Sequence, residues 1–236
     1  MLEPYHGGIV ELIRTSPYLT RFPASLDRSL FSATRRFRVA AGRVRPLPDW
    51  WDGDGAPLVY VTFGSVTGNL PMAAAAYRAV LDAVTGLPVR VLLTTGNTTD
   101  GSGFGPVPTN VHVQAWVPQD DVLAHAAVVV CHGGSGTTFG ALAAGVPVVV
   151  VPLFADQPAN GKKVAAAGAG LVVESDPDAS GAIDMVTPED APRIRAAIDT
   201  VLAEVSYRQA AGLIAEEMRS LPAIDEVLAS AAPGSG

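Results

Sequence analysis

The strongest constraint on the fold is a regular alternation of strand-like and helix-like segments that begins at Leu58. The run Leu58 to Phe63 is apolar, β-branched and aromatic, and an Ala-rich helical segment starts at Pro71. Val128 to Cys131 and Val148 to Val151 are apolar throughout, which is typical of parallel strands covered on both faces. The alternation therefore predicts an α/β fold with a doubly wound parallel sheet, whose ligands bind beyond the carboxyl ends of the strands.

The composition agrees with this fold class and excludes several functions. Of the 236 residues, 48% are hydrophobic but only 6% are aromatic, so the core must be built from Val, Ala and Leu. The net charge of −7 argues against a nucleic-acid partner or an anionic membrane surface, although several Arg residues cluster between positions 35 and 45. Cys131 is the single cysteine, which permits no intrachain disulfide and favours a reducing compartment. With no signal peptide and no apolar stretch long enough for an integral membrane span, we expect a cytoplasmic protein.

The sequence predicts three segments along the chain. Residues 1–57 are interrupted by prolines and contain only short predicted strands, around Tyr18 to Phe22 and Arg36 to Ala40. We interpret them as the remnant of another domain followed by a linker. Residues 58–222 carry the strand–helix alternation and form the predicted Rossmann-like domain. Residues 223–236 end in small residues and are expected to be a flexible tail.

A glycine-rich turn, His132-Gly133-Gly134-Ser135-Gly136-Thr137-Thr138, lies between a predicted strand and a helix predicted to begin at Thr138. Glycines let the backbone approach a ligand closely, and the N–H groups at a helix start attract an anion. The hydroxyls of Ser135 and Thr137 and the ring of His132 add hydrogen-bond donors. The turn indicates a phosphate site, although tight packing alone also produces such turns. It is not a Walker loop, because no Gly-Lys-Ser/Thr follows.

Further residues at fixed spacing surround this turn. Trp116-Val117-Pro118-Gln119 precedes it, and Gly145, Pro147, Pro152 and Asp156-Gln157 follow it. The arrangement resembles the donor-binding signature of family 1 glycosyltransferases with the GT-B fold, the UDP-glycosyltransferase superfamily. It is most similar to the bacterial branch that modifies macrolides and other antibiotics. The resemblance implies that the chain is the C-terminal, nucleotide-sugar-binding half of such an enzyme.

The resemblance also implies roles for individual residues. It implies that Trp116 stacks on the nucleotide base, whereas without the motif a core tryptophan is an equal alternative. His132 is expected to hydrogen-bond the diphosphate, and Asp156 and Gln157 are expected to bind sugar hydroxyls. These two also fit the cap of a helix predicted to begin at Asn160. The residues implied to bind substrate are Ser65, Trp116, Val117, Gln119, His132, Gly134, Ser135, Gly136, Thr137, Asp156 and Gln157.

Gly140 is a departure from the family pattern. Many members that use UDP-sugars have a Glu at the matching position, where it holds both ribose hydroxyls. A deoxyribose has no 2′-OH, so the absence of a side chain favours a dTDP-sugar over a UDP-sugar and also fits a relaxed site. The resemblance implies no cofactor and no metal. Asp52-Gly53-Asp54 looks like the metal-binding motif of the different GT-A fold, but it lies in the linker and is expected to be solvated.

The implied reaction is transfer of a hexose or deoxyhexose from a dTDP- or UDP-sugar to a hydroxyl of a small-molecule acceptor, with inversion. In the family the catalytic base is a His of an N-terminal domain that this sequence does not include. No catalytic residue is therefore expected here, and His6 is interpreted as a chance occurrence. The alternatives are a catalytically silent nucleotide-sugar-binding module and one subunit of a two-chain glycosyltransferase, with an epimerase of the same fold less favoured.

The partners that these interpretations require are the nucleotide sugar and an acceptor held by the missing domain or by a partner chain. Self-association is a further expectation, because the last predicted helix carries an apolar stripe. The stripe consists of Leu213, Ile214, Met218 and Leu221.

Overall fold

The computed structural model describes residues 7–39, 42–48, 55–65, 71–96, 104–173 and 186–231. The chain divides into two compact units, one made of residues 1–41 with 216–236 and the other of residues 42–215. This division differs from the boundaries expected from sequence, which fell after residues 57 and 222. The difference arises at both ends of the larger unit, where residues 42–48 belong to it and residues 216–222 do not.

The helices and strands follow the predicted alternation. In chain order they are α1 (Ile9–Thr15), β1 (Tyr18–Thr20), β2 (Thr34–Arg36), β3 (Leu58–Thr62), α2 (Pro71–Val84), β4 (Arg90–Thr94), β5 (Val111–Gln114), α3 (Gln119–Leu123), β6 (Ala126–Cys131), α4 (Ser135–Ala143), β7 (Val148–Val150), α5 (Gln157–Ala166), β8 (Gly170–Val172), a 3₁₀ turn (Pro188–Asp190), α6 (Ala191–Ala203), α7 (Val205–Ser220) and α8 (Ile224–Ala231).

The larger unit is built on a six-stranded sheet with the strand order β5-β4-β3-β6-β7-β8. Every neighbouring pair is parallel, which confirms the predicted sheet. The chain moves outward from β3 to β5 and then returns to β6 on the other side of β3, so the winding direction reverses between β3 and β6. A reversal of this kind opens a crevice beyond the carboxyl ends of the strands, where ligands of such sheets bind.

The two faces of the sheet are covered by different helices. On one face, alternate strand residues such as Val61, Leu93 and Val130 join side chains of α2 and α6 in the main hydrophobic core. On the other face, Thr138 of α4 approaches Cys131, and Gly161 of α5 packs closely on Val150. Coverage of both faces explains why the strands are apolar at nearly every position.

The smaller unit pairs N-terminal and C-terminal segments of the chain. Strands β1 and β2 are parallel, and β2 begins two residues before the predicted Arg36 to Ala40 strand. The backbone N–H of Arg38 donates to the Pro222 carbonyl oxygen at 2.9 Å. Residues 224–231, expected to lie in a flexible tail, instead form helix α8, in which Val227 is buried.

The apolar stripe predicted on the last long helix is not presented as such, because Ile214 and Met218 are buried, whereas Leu213 is 68% exposed. Self-association stays a prediction. None of the helices in the described parts of the chain is long and apolar enough to cross a membrane.

Candidate functional site

A cavity of about 360 Å³ lies in the larger unit at the carboxyl ends of the central strands. It occupies the crevice created by the reversal between β3 and β6. The cavity is lined by Tyr60, Thr62, Gly64, Ser65, Thr94, Gly96, Ala115, Trp116, Val117, Gln119, His132, Gly134, Ser135, Gly136 and Thr137. All the substrate-binding residues predicted from sequence are therefore brought together here, except Asp156 and Gln157.

One wall is the loop that follows β5. Trp116 lies in this loop with 59% of its surface exposed, so it is not a core tryptophan, and that alternative is wrong. The neighbouring Val117 also lines the cavity, and Gln119 begins helix α3. An indole held on the rim of a cavity offers a flat apolar surface on which a planar ring can stack.

The Gln119 side chain lies against helix α4 at Gly140. A methyl group at Gly140 would overlap Gln119 Nε2 and would stand 3.6 Å from Leu123 Cδ1. The Gln119 amide therefore fills the space that a side chain at position 140 would need. Sequence reasoning detected the missing side chain but not the neighbour that takes its place.

The opposite wall is the N-terminus of α4. The helix begins at Ser135, three residues before the predicted start at Thr138, so Ser135, Gly136 and Thr137 form its first turn. Its N-cap residue, Gly134, has no side chain to satisfy the first backbone N–H groups. Because Gly134 to Thr137 line the cavity, the positive end of the helix dipole faces it and favours an anion there.

His132 connects this wall to the cavity floor. Its ring is only 8% exposed and lies between two glycines. A methyl group at Gly134 would overlap Nε2, and one at Gly64 would come within 3.1 Å of Cε1. Nδ1 has no hydrogen-bond partner among the described residues. Burial lowers the pKa of His132, and the negative charge of Asp156 partly offsets this effect, so the ring is neutral at pH 7.

The glycine after His132 is required by the backbone. Gly133 has φ of 87°, in the left-handed region that favours glycine. A methyl group there would also lie 2.8 Å from both the Gln157 carbonyl oxygen and Val150 Cγ1. The close approach of this turn to the start of α5 thus depends on Gly133.

Asp156 and Gln157 lie outside the cavity lining, at the start of α5. Gln157 is buried, and its Oε1 accepts hydrogen bonds from the backbone N–H groups of Leu153 and Phe154, both at 2.9 Å. Asp156 is exposed, and its Oδ2 accepts a hydrogen bond from Asn160 Nδ2 at 3.1 Å. This arrangement matches the alternative interpretation of the pair as a helix start.

The residue before this pair has a strained backbone. Ala155 has φ of 58°, the one positive value for a non-glycine residue in the described chain. Such conformations cost of order 1 kcal/mol or more and cluster at functional loops. The strained residue lies directly before Asp156, whose charge acts on His132.

Three floor residues were missed by sequence reasoning. Tyr60 and Thr62 of β3 and Thr94 of β4 line the cavity with hydroxyl-bearing side chains. Tyr and Thr are common in strands for reasons of packing alone, so their presence gave no separate signal. The available signal was positional, because Tyr60 and Thr62 are two residues apart and therefore share one face of β3.

Two sequence motifs lie outside the described residues, namely Asp52-Gly53-Asp54 and the segment that contains His6. Within the described part of the chain, no group of three or more His, Cys, Asp or Glu side chains is placed to hold a metal ion.

Comparison with protein families and characterised proteins gives one consistent result. The model of the family "Erythromycin biosynthesis protein CIII-like, C-terminal domain" matches residues 78–232. The PGL/p-HBAD biosynthesis rhamnosyltransferase of Mycobacterium bovis (strain BCG / Pasteur 1173P2) is 36% identical over 171 residues, which are 72% of this chain and 34% of that protein. The demethyllactenocin mycarosyltransferase of Streptomyces fradiae is 34% identical over 163 residues, covering 67% of this chain and 34% of that protein. The chain thus spans about a third of the length of these relatives.

Solved structures show the same fold. The spinosyn rhamnosyltransferase SpnG superposes with a TM-score of 0.74 and 25% identity, covering 90% of this chain and 55% of that chain. The glycosyltransferase VinC, in complex with dTDP, superposes with a TM-score of 0.69 and 25% identity, covering 89% of this chain and 49% of that chain. The Rossmann-like C-terminal domain expected from the resemblance is therefore confirmed.

Proposed function

Because the chain belongs to the erythromycin biosynthesis protein CIII-like C-terminal domain family, we propose that it is the nucleotide-sugar-binding half of a natural-product glycosyltransferase. One observation carries the proposal, namely that the cavity has an exposed indole at one end and a helix N-terminus at the other. Trp116 follows β5 and the α4 N-terminus follows β6, three strand positions away. At about 4.8 Å between strands, the carboxyl ends of β5 and β6 lie roughly 14 Å apart, a span that suits an extended nucleoside diphosphate.

The bound nucleotide is a pyrimidine diphosphate, with dTDP preferred over UDP. Its base stacks on Trp116 and its phosphates lie against Ser135 to Thr137, so its pentose passes near Gln119. At Gly140 there is no carboxylate to accept hydrogen bonds from two ribose hydroxyls, and the Gln119 amide fills that position. SpnG has been solved in complex with thymidine diphosphate and VinC in complex with dTDP, which supports the same preference here.

The sugar transferred is a hexose or deoxyhexose. The similar proteins include a rhamnosyltransferase and a mycarosyltransferase, which supports a deoxyhexose. The acceptor is a small-molecule hydroxyl, which loses its proton to a base as its oxygen bonds to the anomeric carbon from the side opposite the diphosphate. The bond from that carbon to the diphosphate oxygen breaks in the same step, so the configuration inverts.

This chain's contribution to that step is to stabilise the leaving group. Negative charge builds up on the diphosphate as the sugar departs, and the dipole of α4 already points positive charge at that position. A neutral His132 supplies one ring N–H to the same oxygens. Fixed donors of this kind need no reorganisation during the reaction, so no metal ion is required.

The base itself comes from outside these residues. Among the described lining residues there is no carboxylate, and the one imidazole, that of His132, is buried at the phosphate wall. This observation favours a second candidate for the chain by itself, a nucleotide-sugar-binding module that is silent without an acceptor domain or a partner chain. On either view the isolated chain binds the donor but does not transfer its sugar.

The proposal is tested by calorimetry of the 236-residue chain with dTDP, UDP and their glucose conjugates in a metal-free buffer containing chelator. We expect binding to dTDP, and we expect Trp116→Ala to weaken it by about 1–3 kcal/mol, the usual contribution of base stacking on an aromatic side chain. Leu213→Ala is the matched control, because Leu213 is also an exposed apolar residue of the same unit but lies outside the cavity lining. Unchanged affinity in Trp116→Ala would remove the base site, and efficient transfer by the chain alone would contradict the absence of a base.

A further inference from the structure

Three hydroxyl side chains interrupt the apolar pattern of the sheet under the cavity. Tyr60 and Thr62 lie on β3, Thr94 lies on β4, and Thr62 and Thr94 are register partners. All three are buried and line the cavity. On the same face of the sheet, Val129 and Val150 are apolar under the helices. These three hydroxyls therefore lie on the part of this face that borders the cavity and is not covered by helices.

These hydroxyls are unequally satisfied. Thr62 Oγ1 accepts the backbone N–H of Gly64 at 3.2 Å. The Tyr60 hydroxyl lies 3.4 Å from Thr94 Oγ1, whereas a good O–H···O bond is about 2.7–2.8 Å long. Burial raises the pKa of Tyr60, and the Thr94 and Thr62 hydroxyls oppose this rise, so the phenol keeps its proton. The Tyr60–Thr94 pair thus places donor and acceptor capacity in the cavity floor, and the contact that joins the two hydroxyls is long.

Tyr77 provides an internal comparison. It is also buried, and its hydroxyl also reaches Thr94, but from α2 on the opposite face of the sheet. That hydroxyl donates to the Thr94 carbonyl oxygen at 2.9 Å, a bond of normal length. Tyr77 therefore makes a structural hydrogen bond of normal length, whereas the Tyr60 hydroxyl makes only a long contact with Thr94.

The position of the floor relative to the proposed ligand follows from the strand order. A ligand that runs from Trp116 after β5 to the first turn of α4 after β6 must cross the ends of β4 and β3. Thr94 and Thr62 are the last residues of those two strands. The part of the ligand above Thr94, on the Trp116 side, is the nucleoside rather than the diphosphate.

We infer that Tyr60 and Thr94 form a polar subsite in the cavity floor that hydrogen-bonds the nucleoside part of the bound nucleotide. This inference rests on the proposed function, because it concerns the same ligand. Hydroxyl groups rotate and can donate or accept, so the pair adapts to whichever edge of the nucleoside it meets. Binding replaces a long mutual contact by a better bond, so the subsite adds affinity at little cost to the empty protein.

The test compares Tyr60→Phe and Thr94→Val with Tyr77→Phe. Each variant removes a hydroxyl and keeps the shape of the side chain. Thermal unfolding is measured without ligand, and affinities are measured for dTDP, thymidine and inorganic pyrophosphate. We expect Tyr60→Phe and Thr94→Val to unfold near the original temperature and to bind dTDP and thymidine roughly three- to tenfold more weakly, as for one lost hydrogen bond, with pyrophosphate unaffected. Tyr77→Phe should show the reverse, a lower unfolding temperature and unchanged dTDP affinity.

Unchanged dTDP affinity in both Tyr60→Phe and Thr94→Val would overturn the subsite while leaving the proposed function intact. An equal loss for pyrophosphate would overturn it as well, because the pair would then act on the phosphates or on the whole cavity. Failure of the unmodified chain to bind dTDP would overturn the proposed function, and the subsite with it.

Discussion

Gly134 and Gly140 have no side chain, which leaves space for polar neighbours in the cavity walls. Gly134 makes room for the His132 ring, and Gly140 makes room for the Gln119 amide. In each case a methyl group would meet a side-chain nitrogen of a residue that lines the cavity. The polar groups are therefore positioned partly by residues that have no side chain to contact the ligand.

This positioning predicts a coupling between Gly140 and Gln119. Gly140→Ala should weaken dTDP binding by about 0.5–1.5 kcal/mol, the usual range for one hydrogen bond, because it displaces the amide. In a Gln119→Ala background the same substitution should have almost no effect, and a double-mutant cycle measures the difference. The control is Gly212→Ala, a helical glycine around which a methyl group meets no atom within 4 Å. Additive losses from Gly140→Ala and Gln119→Ala would show that the contact does not position the amide.

At the residue scale, sequence reasoning found the walls of the cavity but not its floor. The wall residues belong to a spaced motif, and the structure brings Trp116, Gln119 and His132 together as that motif implies. Tertiary packing decides the direction of a side chain. The sequence alone therefore left two roles for Gln157, sugar binding and the helix start. Tyr60 escaped notice because a strand tyrosine has the same pattern whether it meets a ligand or a core.

At the scale of elements, a short irregular segment is attached to the helix that carries Gln119. Residues 42–48 have no regular structure, and we call them the strap. The Gly42 N–H donates to Asp120 Oδ2 at 3.0 Å, and the Arg45 N–H donates to Asp121 Oδ1 at 2.7 Å. Asp121 is only 6% exposed, so an exposed segment serves as a hydrogen-bond partner for a buried carboxylate. Both carboxylates lie in the first turn of α3, directly after Gln119.

We predict that the strap and the nucleotide stabilise each other through α3. Asp121→Ala should lower the free energy of unfolding by about 1–3 kcal/mol, as for a charged hydrogen bond, and should also weaken dTDP binding. Asp121→Asn keeps an acceptor oxygen and should lose less of both. Hydrogen exchange provides the decisive measurement, because dTDP should slow exchange of the Arg45 amide in the unmodified chain.

The control for this prediction is Asp199→Ala, which removes an exposed carboxylate from α6 on the other face of the sheet. It should change neither dTDP affinity nor Arg45 exchange. If dTDP leaves Arg45 exchange unchanged in the unmodified protein, the strap is only a structural attachment.

The elements themselves were largely predictable, but their ends were not. Strands β3, β6 and β7 coincide with the predicted apolar runs, since burial on both faces leaves a strong pattern. Helices α4 and α5 both begin three residues before their predicted starts. Gly, Ser and Pro are poor formers of helix interiors, yet they are tolerated in a first turn. Helix α8 was missed because its small residues suggested a tail, although Asp225 and Glu226 in its first turn were a usable signal.

For the whole molecule, the buried His132 predicts a pH dependence of stability. Its pKa is lowered by burial in the folded protein, whereas in the unfolded chain it is about 6.5. Below pH 6.5 the unfolded chain therefore takes up a proton that the folded protein does not, and the free energy of unfolding falls until the pH reaches the folded pKa. Above pH 6.5 this effect disappears.

The measurement is urea unfolding of the original chain and of His132→Ala at pH 7.5 and pH 5.5. We expect the original chain to lose more stability on acidification than the variant, because the variant lacks this proton uptake. An equal loss in both proteins would show that other groups, such as the remaining histidines, carry the acid sensitivity.

The family and the fold of the larger unit followed from sequence, but the division of the chain did not. The expected boundary after residue 57 rested on composition, which changes there. The observed boundary after residue 41 depends on the docking of the strap onto α3, a tertiary contact between segments more than seventy residues apart in sequence. Local patterns carry no information about such contacts.

The segregation of the sheet into a fully apolar face and a face with hydroxyls at its ligand edge has an evolutionary consequence. Most substitutions destabilise a protein, and selection removes those that bring it below the threshold needed for function. Here the core formed with α2 and α6 is separated by the thickness of the sheet from the strand residues that line the cavity. Substitutions that change the preferred nucleotide or sugar can therefore accumulate at the carboxyl edge without lowering the free energy of unfolding that the core supplies. Related proteins can then differ in chemistry on a common scaffold.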